Sequence, residues 1–278
     1  MQGNEEKKHN IRGHKILLAS VLCLFGFCLL AQKPVQNKQS RPQQEDKGQA
    51  PKKQQAKSKV YLIHSDMLRK DSRHPDAQVV TGNVVFRHDS VYMYCDSAYY
   101  YDKLGSFEAF SNVKMNQGDT LFLYGDRLYY DGNTQIAEVR NNVRMENRNT
   151  TLLTDSLNYD RLYNLGYFFD GGTLMDEQNV LTSEWGEYNP STKQSVFNYN
   201  VKLVNPQFTL TSDTLEYNTQ SKVAEIVGPS DILSDNNHIY SEQGTYNTAT
   251  GKAALYQRSI ITNDAKQLTG DTLFYGRN

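Results

Sequence analysis

Eight carboxylates recur along the sequence at an almost constant spacing, and they are the side chains best placed to do chemistry. Successive members are 29 or 30 residues apart: Asp66, Asp96, Asp126, Asp155, Glu184, Asp213, Glu242 and Asp271. Acid and base catalysis on a glycan needs two acids in unlike surroundings, one of them with a raised pKa. A calcium site needs several oxygens converging on one point, whereas each interval supplies one carboxylate. All eight acids occupy equivalent positions in the repeat, which favours a structural role over a catalytic or metal-binding one. In that role each acid accepts hydrogen bonds from backbone N–H groups at a strand corner.

The other reactive residue types suggest no catalytic centre. Six histidines follow no zinc-ligand spacing: His9, His14, His64, His74, His88 and His238. Cys95 is the one cysteine outside the N-terminal apolar segment and stands where other intervals have a small residue, so we expect a packed, unreactive thiol. Trp185 is the single tryptophan, and we expect it to pack in the core or at its rim. We predict no catalytic residue, no metal site and no cofactor.

Each acid lies within a repeated octet, such as YGDRLYYD or TSDTLEYN, and a second segment such as VRNNVRM follows it. Around Asp126, the apolar Leu123 lies at an odd offset, whereas Leu128 and Tyr130 lie at even offsets. Because a strand alternates its faces, this change of parity indicates a β-bulge or a sharp corner at the acid. An Asp or Asn after the tyrosine then predicts a turn closed by its own side chain.

The repeated pattern predicts an all-β fold of about eight stacked β-β units of 29–30 residues. Two architectures fit: a filled β-solenoid, or an elongated, twisted β-jellyroll, V-shaped, with two facing sheets. Interior positions mix Leu, Tyr, Gly, Ala, Val, Met and Phe, which favours the jellyroll with an irregular, partly open slot.

The first 59 residues differ in composition from the rest. Basic residues precede an apolar run at 16–31, which predicts that residues 1–31 are a secretory signal peptide or an uncleaved membrane anchor. Residues 32–59 are rich in Gln, Lys and Pro, which predicts a disordered basic linker before the repeat domain at 60–278. Residues 1–59 contain 12 of the 30 Lys and Arg and 4 of the 31 acidic residues, so residues 60–278 contain 18 and 27, net −9. A nucleic-acid partner is therefore not expected.

The motifs LYGDRLYYD with NNVRM, LLTDSLNYD, LTSDTLEYN and TGNVV resemble the OstA/LptA-like family of lipopolysaccharide-transport proteins, over about residues 60–278. The resemblance implies a non-enzymatic periplasmic bridge component that shields lipid A acyl chains in an apolar groove between the inner and outer membranes. Glycine at 186 and 244, where other copies have Leu, departs from the pattern. The expected groove residues are Leu123, Leu128, Tyr130, Val143, Leu152, Leu157, Tyr159, Leu210, Leu215 and Tyr217.

The ends of such a stack expose unpaired strand edges. We expect head-to-tail strand addition to homologous jellyroll domains of the transport bridge, or to a second copy of the chain, through Val60, Leu62, Leu268 and Leu273. Expected partners are thus lipopolysaccharide or lipid A and like-folded domains. The alternatives are a structural or adhesive β-solenoid of the cell envelope and a glycan-active β-helix enzyme.

Overall fold

The computed structural model describes residues 58–234, 236–264 and 266–277. Every regular element in those ranges is a β-strand. The first ten strands are β1 Tyr61–His64, β2 Met67–Asp71, β3 His74–His88, β4 Val91–Tyr101, β5 Ser106–Gln117, β6 Leu121–Asp131, β7 Ile136–Asn147, β8 Thr150–Asp160, β9 Leu165–Phe168 and β10 Gly172–Asp176. The second ten are β11 Asn179–Ser183, β12 Trp185–Tyr188, β13 Gln194–Asn205, β14 Phe208–Asn218, β15 Val223–Ile226, β16 Ser230–Ser234, β17 Asn237–Ser241, β18 Gln243–Asn247, β19 Lys252–Asn263 and β20 Lys266–Gly276.

Strands that follow one another in the chain pair side by side. From β3 to β8 each strand is antiparallel to the next, as are β13 with β14 and β19 with β20. Where a long strand is divided, its two halves pair with the same neighbour, as β9 and β10 do with β8. The described strands therefore form one continuous antiparallel sheet, which confirms the predicted all-β class.

The sheet is folded along a line of corners. In β6 the residues Leu121, Leu123 and Gly125 are buried and so are Leu128 and Tyr130, so the buried face changes parity around Asp126. The pairing register shifts at the same point, between Tyr124 and Arg127. The predicted corner is confirmed.

The partner strand supplies the bulge with two consecutive left-handed residues. Asn141 and Asn142 have φ of 62° and 52° opposite the β6 corner, and Ser111 and Asn112 have φ of 62° and 51° one repeat earlier. Asn tolerates this conformation better than most residues, which explains the amide pairs in the sequence.

The corner acids were expected to accept hydrogen bonds from backbone N–H groups. In the structure, their donors are mainly side chains. Asn112 donates to Asp96 over 2.8 Å and Asn142 donates to Asp126 over 2.6 Å. The left-handed asparagine points its amide at the acid of the adjacent strand, so it takes the place of a free backbone donor. One predicted backbone donor is present, since the N–H of Asn142 donates to Asp155 over 3.3 Å.

Turns at the strand ends follow the sequence prediction. The side chains of Asp131, Asp160, Asn189, Asn218 and Asn247 each accept a hydrogen bond from the backbone N–H two residues later. These local hydrogen bonds close each turn. The amides of Asn189, Asn218 and Asn247 also donate to carbonyls of the preceding turn, which ties neighbouring repeats together.

The corners divide the sheet into two limbs that face each other. The first limb carries the strand ends joined by turns such as 89–90, 118–120 and 148–149, and the second carries those joined by turns such as 102–105, 132–135 and 161–164. Apolar side chains of both limbs form one buried cluster from Val60 to Leu255. The rings of Phe86 and Phe107 stack inside it with centroids 4.0 Å apart. Facing limbs are the second of the two predicted architectures; the number of repeat copies stays a prediction.

Candidate functional site

The ten predicted groove residues lie together between the limbs. Each is exposed by 2% or less of its surface. Both sides of the corner contribute, since Leu123 and Leu152 belong to the first limb and Leu128 and Leu157 to the second. Their shared face follows from the parity change at the corner. Their role in binding a lipid stays a prediction.

The expected partly open slot is closed. Side chains fill the space between the limbs, and a line of hydrogen bonds closes the side opposite the corners, which we call the mouth. Tyr188 donates to Asn147 over 3.4 Å, and Tyr217 donates to Asp176 over 2.7 Å. The tyrosines of the second limb are long enough to reach polar groups of the first limb, so these contacts join the two limbs across the mouth.

The polar residues that end the first-limb strands form a periodic column that was not predicted from the sequence. Its members are His88, Gln117, Asn147, Asp176, Asn205, Ser234 and Asn263, spaced by 29 or 30 residues. Four of them, His88, Gln117, Asn147 and Asp176, lie within hydrogen-bonding distance of second-limb side chains. The same period that revealed the acids could have revealed this column, since each member ends a strand before a turn.

His88 and Tyr130 form a buried part of this closure. The Nδ1 atom of His88 lies 2.6 Å from the Tyr130 hydroxyl and 3.0 Å from Nη1 of Arg161. Because a guanidinium only donates, Nδ1 is an acceptor and the imidazole is neutral. Burial and the charge of Arg161 lower the pKa of His88, although Asp89 acts in the opposite direction. Burial raises the pKa of Tyr130 to about 12.

An ion pair closes the mouth farther along the stack. Lys222 donates to both oxygens of Asp176 over 2.8 Å and contacts Glu177 at 3.2 Å. Burial acts to lower the pKa of Lys222, but the hydrogen bonds to Asp176 and Glu177 outweigh it and raise the pKa. The hydroxyl of Tyr217 also accepts from Asn179 over 2.9 Å, so Asp176 belongs to a connected polar network.

A cavity of about 720 Å³ opens at the mouth between turns of the two limbs. Its charged lining residues are Arg148, Asp176, Glu177, Lys193 and Lys222. Lys193 donates to Pro190 O over 2.6 Å and also to the side-chain oxygen of Asn147. Burial and the nearby charge of Arg148 lower the pKa of Lys193. This cavity is polar, unlike the interior beneath it.

The predicted assembly residues lie at or near the two ends of the sheet. Leu62 belongs to β1, which pairs with β3, whereas Val60 precedes that strand and is fully buried. Leu268 and Leu273 belong to β20, whose strand partner among the described residues is β19. Leu268 is exposed and Leu273 packs against the core. Val60 is thus a core residue, because its side chain packs inside and its carbonyl accepts from Tyr100 over 2.9 Å.

The remaining reactive residue types form no catalytic cluster in the part of the chain that the structure describes. Cys95 is buried, and burial raises the pKa of its thiol to about 12, so the thiol is unreactive near neutral pH. Trp185 is half-buried at the start of β12. Within the described ranges, no group of three His, Cys, Asp or Glu residues comes together to hold a metal ion.

The predicted leader at 1–31 and most of the linker at 32–59 lie outside the described residues. Within the ranges that are described, the structure contains no helix long and apolar enough to cross a membrane.

The fold and the mouth define a class of protein: a repeated, all-β sheet folded around an apolar interior. This chain belongs to the OstA-like protein family, whose sequence profile matches residues 57–213 and 209–271. No curated protein matches the chain. Among solved structures, it is similar to LptH from Pseudomonas aeruginosa, described as the LptA homologous periplasmic component of the conserved lipopolysaccharide transport device. That match has 9% identity and a TM-score of 0.18, and it covers 59% of this chain and 79% of the other.

Proposed function

We propose that this OstA-like chain is a non-enzymatic component of a periplasmic lipopolysaccharide-transport bridge, and that its folded sheet shields lipid A acyl chains between the two membranes. Membership of the OstA-like family supports the transport role. The observation that carries the proposal is the continuous apolar interior from Val60 to Leu255, whose closure at the mouth is made by side chains. Such a closure can open without breaking a strand pair.

The free-energy cost of opening the mouth is smaller than the gain from burying an acyl chain in the interior. An intramolecular hydrogen bond contributes about 0.5–1.5 kcal/mol net, so parting a few mouth contacts costs a few kcal/mol. Removing a CH₂ group from water gains about 0.8 kcal/mol, so about ten groups of an acyl chain gain about 8 kcal/mol. Acyl chains would take the place of contacts that the limbs make with each other in the closed form.

Neighbouring tyrosines on opposite faces provide a matched test. Tyr130 is fully buried in the interior, whereas Tyr129 is 41% exposed on the outer face of the same strand. A photocrosslinking amino acid at position 130 should form an adduct with lipopolysaccharide in cells, and the same residue at 129 should not. Leu157 is a second interior position for the probe, which guards against a folding defect at 130.

Equal crosslinking from both faces, or none from either interior position in a folded protein, would contradict acyl-chain shielding. The filled interior favours a second function, that of a structural repeat protein of the cell envelope, because tightly packed side chains need no ligand. The absence of interior adducts would support that alternative.

The two end strands supply a means of assembly. Edge strand β20 exposes Phe274 by 77% and Leu268 by 55% of their surfaces. We expect β20 to pair head-to-tail with the β1–β2 end of a like-folded domain or of a second copy. Sedimentation should then show oligomers that grow with protein concentration. Phe274→Lys and Leu268→Lys together should reduce them, whereas Leu162→Lys in an exposed turn should not; oligomers unaffected by the edge substitutions would contradict this assembly.

The bridge role places the chain in the periplasm, either released after cleavage of residues 1–31 or held at the inner membrane by them. N-terminal sequencing of the exported protein distinguishes the two forms.

A further inference from the structure

Two cations at the mouth lack carboxylate partners among the described residues. Lys193 donates hydrogen bonds to oxygens of Asn147 and Pro190, which are neutral. Arg148 lines the same cavity and makes no ion pair with any residue in the described ranges. By contrast, Lys222 in this cavity is neutralised by Asp176 and Glu177. The positive charge of Lys193 and Arg148 is therefore available to a ligand.

The repeat architecture does not require these cations. The turn position of Lys193 recurs with positive φ in other repeats, as Gly105, Gln135, Asn164, Lys222 and Gly251. The turn position of Arg148 recurs likewise as Asp89, Gly118 and Glu177. The backbone thus accepts glycine, amides and acids at these positions. Arg148 is the one cation at its turn position among these copies, and Lys193 shares its residue type with Lys222 alone. Lys193 and Arg148 face the same cavity from opposite limbs.

We propose that this mouth cavity is a binding site for a phosphomonoester, with Lys193 and Arg148 as its recognition residues. A phosphate monoester carries about −1.5 to −2 charges near neutral pH, which matches two free cations better than the single charge of a carboxylate. Arg148 offers a planar guanidinium with five N–H donors, and Lys193 offers a compact ammonium.

The size of the cavity extends the proposal to the group that bears the phosphate. A cavity of about 720 Å³ is much larger than a phosphate ion and lies within the range of roughly 300–1,000 Å³ for small-molecule sites. Polar residues such as Thr120, Asn149 and Ser191 line the remaining space. Their hydroxyl and amide groups suit a sugar, so the expected ligand is a glycosyl phosphate.

The site lies at the polar rim, outside the apolar interior, and it does not rest on the proposed function. A soluble ligand without acyl chains can therefore test it. Phosphate could reach the site as a free ion or on a lipid headgroup, and the two sources share the same recognition chemistry. Inorganic phosphate represents the first source, and glucosamine 1-phosphate is a soluble probe for the second.

Calorimetric titration at low ionic strength measures binding of both probes, with glucosamine as the reference that carries the same sugar and amine but no phosphate. We expect glucosamine 1-phosphate to bind and glucosamine not to bind. Lys193→Gln should raise the Kd about tenfold, because a charge-assisted hydrogen bond is lost. The backbone should tolerate this change, since Gln135 has φ of 60° at the equivalent position. Arg148→Gln should weaken binding similarly, whereas Lys202→Gln on the outer face of β13 should leave it unchanged.

Tighter binding of glucosamine 1-phosphate than of inorganic phosphate would support a phosphate carried on a sugar. Equal binding of both, sensitive to Lys193→Gln, would support the phosphoryl site with free phosphate as its ligand. Failure of both probes to bind the wild-type protein at millimolar concentration, or equal affinities in wild type and both cavity variants, would overturn the proposal. Crosslinking from the interior is measured separately, so loss of this site leaves the acyl-chain proposal standing.

Discussion

The hydroxyl of Tyr217 donates a 2.7 Å hydrogen bond to Oδ2 of Asp176, 41 residues earlier in the chain. This contact joins the second limb to the first across the mouth. Asn147 and Tyr188 are also 41 residues apart, and His88 and Tyr130 are 42 apart. The mouth is therefore closed by a repeated contact between residues far apart in the chain. The contribution of each such contact to the free energy of unfolding can be measured by substitution.

Replacement of Tyr217 by Phe should destabilise the protein by about 2–3 kcal/mol. The hydroxyl is buried, and its removal takes a donor from a carboxylate and an acceptor from Asn179. Urea denaturation monitored by circular dichroism would measure the loss. Tyr129→Phe is the matched control, because that exposed ring should tolerate the change within about 0.5 kcal/mol. Equal stability of the two variants would mean that the mouth contact adds nothing.

Removal of the charge on Lys222 alone should lower the free energy of unfolding more than removal of both charges of the ion pair. Asp176 is 2% exposed, and Lys222→Met would leave its carboxylate buried without a cation, at a cost of about 3–5 kcal/mol. Asp176→Asn should restore much of this loss in the double variant, because Asn147 and Asn205 occupy equivalent positions in the column. A double-mutant cycle of unfolding free energies measures the coupling. Additive effects would show that the two groups do not interact.

The buried His88 should make stability depend on pH. Its folded-state pKa is lowered, so the unfolded chain binds the proton more tightly. Stability should therefore rise with pH from the lowered folded-state pKa up to about 6.5, the ordinary value for histidine, and level off above it. Denaturation midpoints measured across pH 4–8, a range of about four units that brackets the ordinary value, would show this slope.

His88→Asn should flatten that pH dependence, since asparagine fills the equivalent position in other repeats. His74→Asn removes a ring whose centroid lies 4.4 Å from that of Tyr99, away from the mouth, and should retain the wild-type slope. A slope that persists in the His88 variant would assign the pH dependence to other groups.

Sequence periodicity predicted the local geometry well, because a strand transmits the position of an apolar residue directly to one face. The parity change around Asp126 therefore identified both the corner and interior residues such as Leu128 and Tyr130. The mouth was harder to predict, because the column that includes His88 and Asp176 keeps its polarity but varies in residue type.

The sequence also did not predict how far apart in the chain the facing residues of the two limbs are. The period of 29–30 residues shows which residues of one limb occupy equivalent positions in successive repeats. It does not show which repeat of the first limb packs against which repeat of the second. Packing determines the 41-residue separation of Asp176 and Tyr217, and a single sequence contains no signal for it. The expectation of a partly open slot rested on the mixed residue types of the interior positions, which carry no information about the groups that the tyrosines reach across the mouth.

The glycine at position 186 shows how packing volume compensates for a departure from the repeat. Several other copies have Leu at this interior position, as at Leu128 and Leu157. Here a Cβ atom would lie 2.6 Å from the ring of Phe168 and 3.1 Å from that of Phe197. The two rings occupy the space of the absent side chain. Gly186→Leu should therefore overpack the core and destabilise the protein by about 1–3 kcal/mol or more.

A second substitution should relieve this strain if the rings are its cause. Gly186→Leu combined with Phe168→Val imitates the repeat in which Leu157 pairs with Val139, and it should be more stable in urea than Gly186→Leu alone. Phe168→Val by itself should leave a cavity and destabilise the protein, since the ring is buried. The sign of the coupling energy decides the case. Additive destabilisation by the two substitutions would show that Gly186 does not make room for the ring of Phe168. The interior at this level would then accommodate a larger side chain, which a tightly packed core does not.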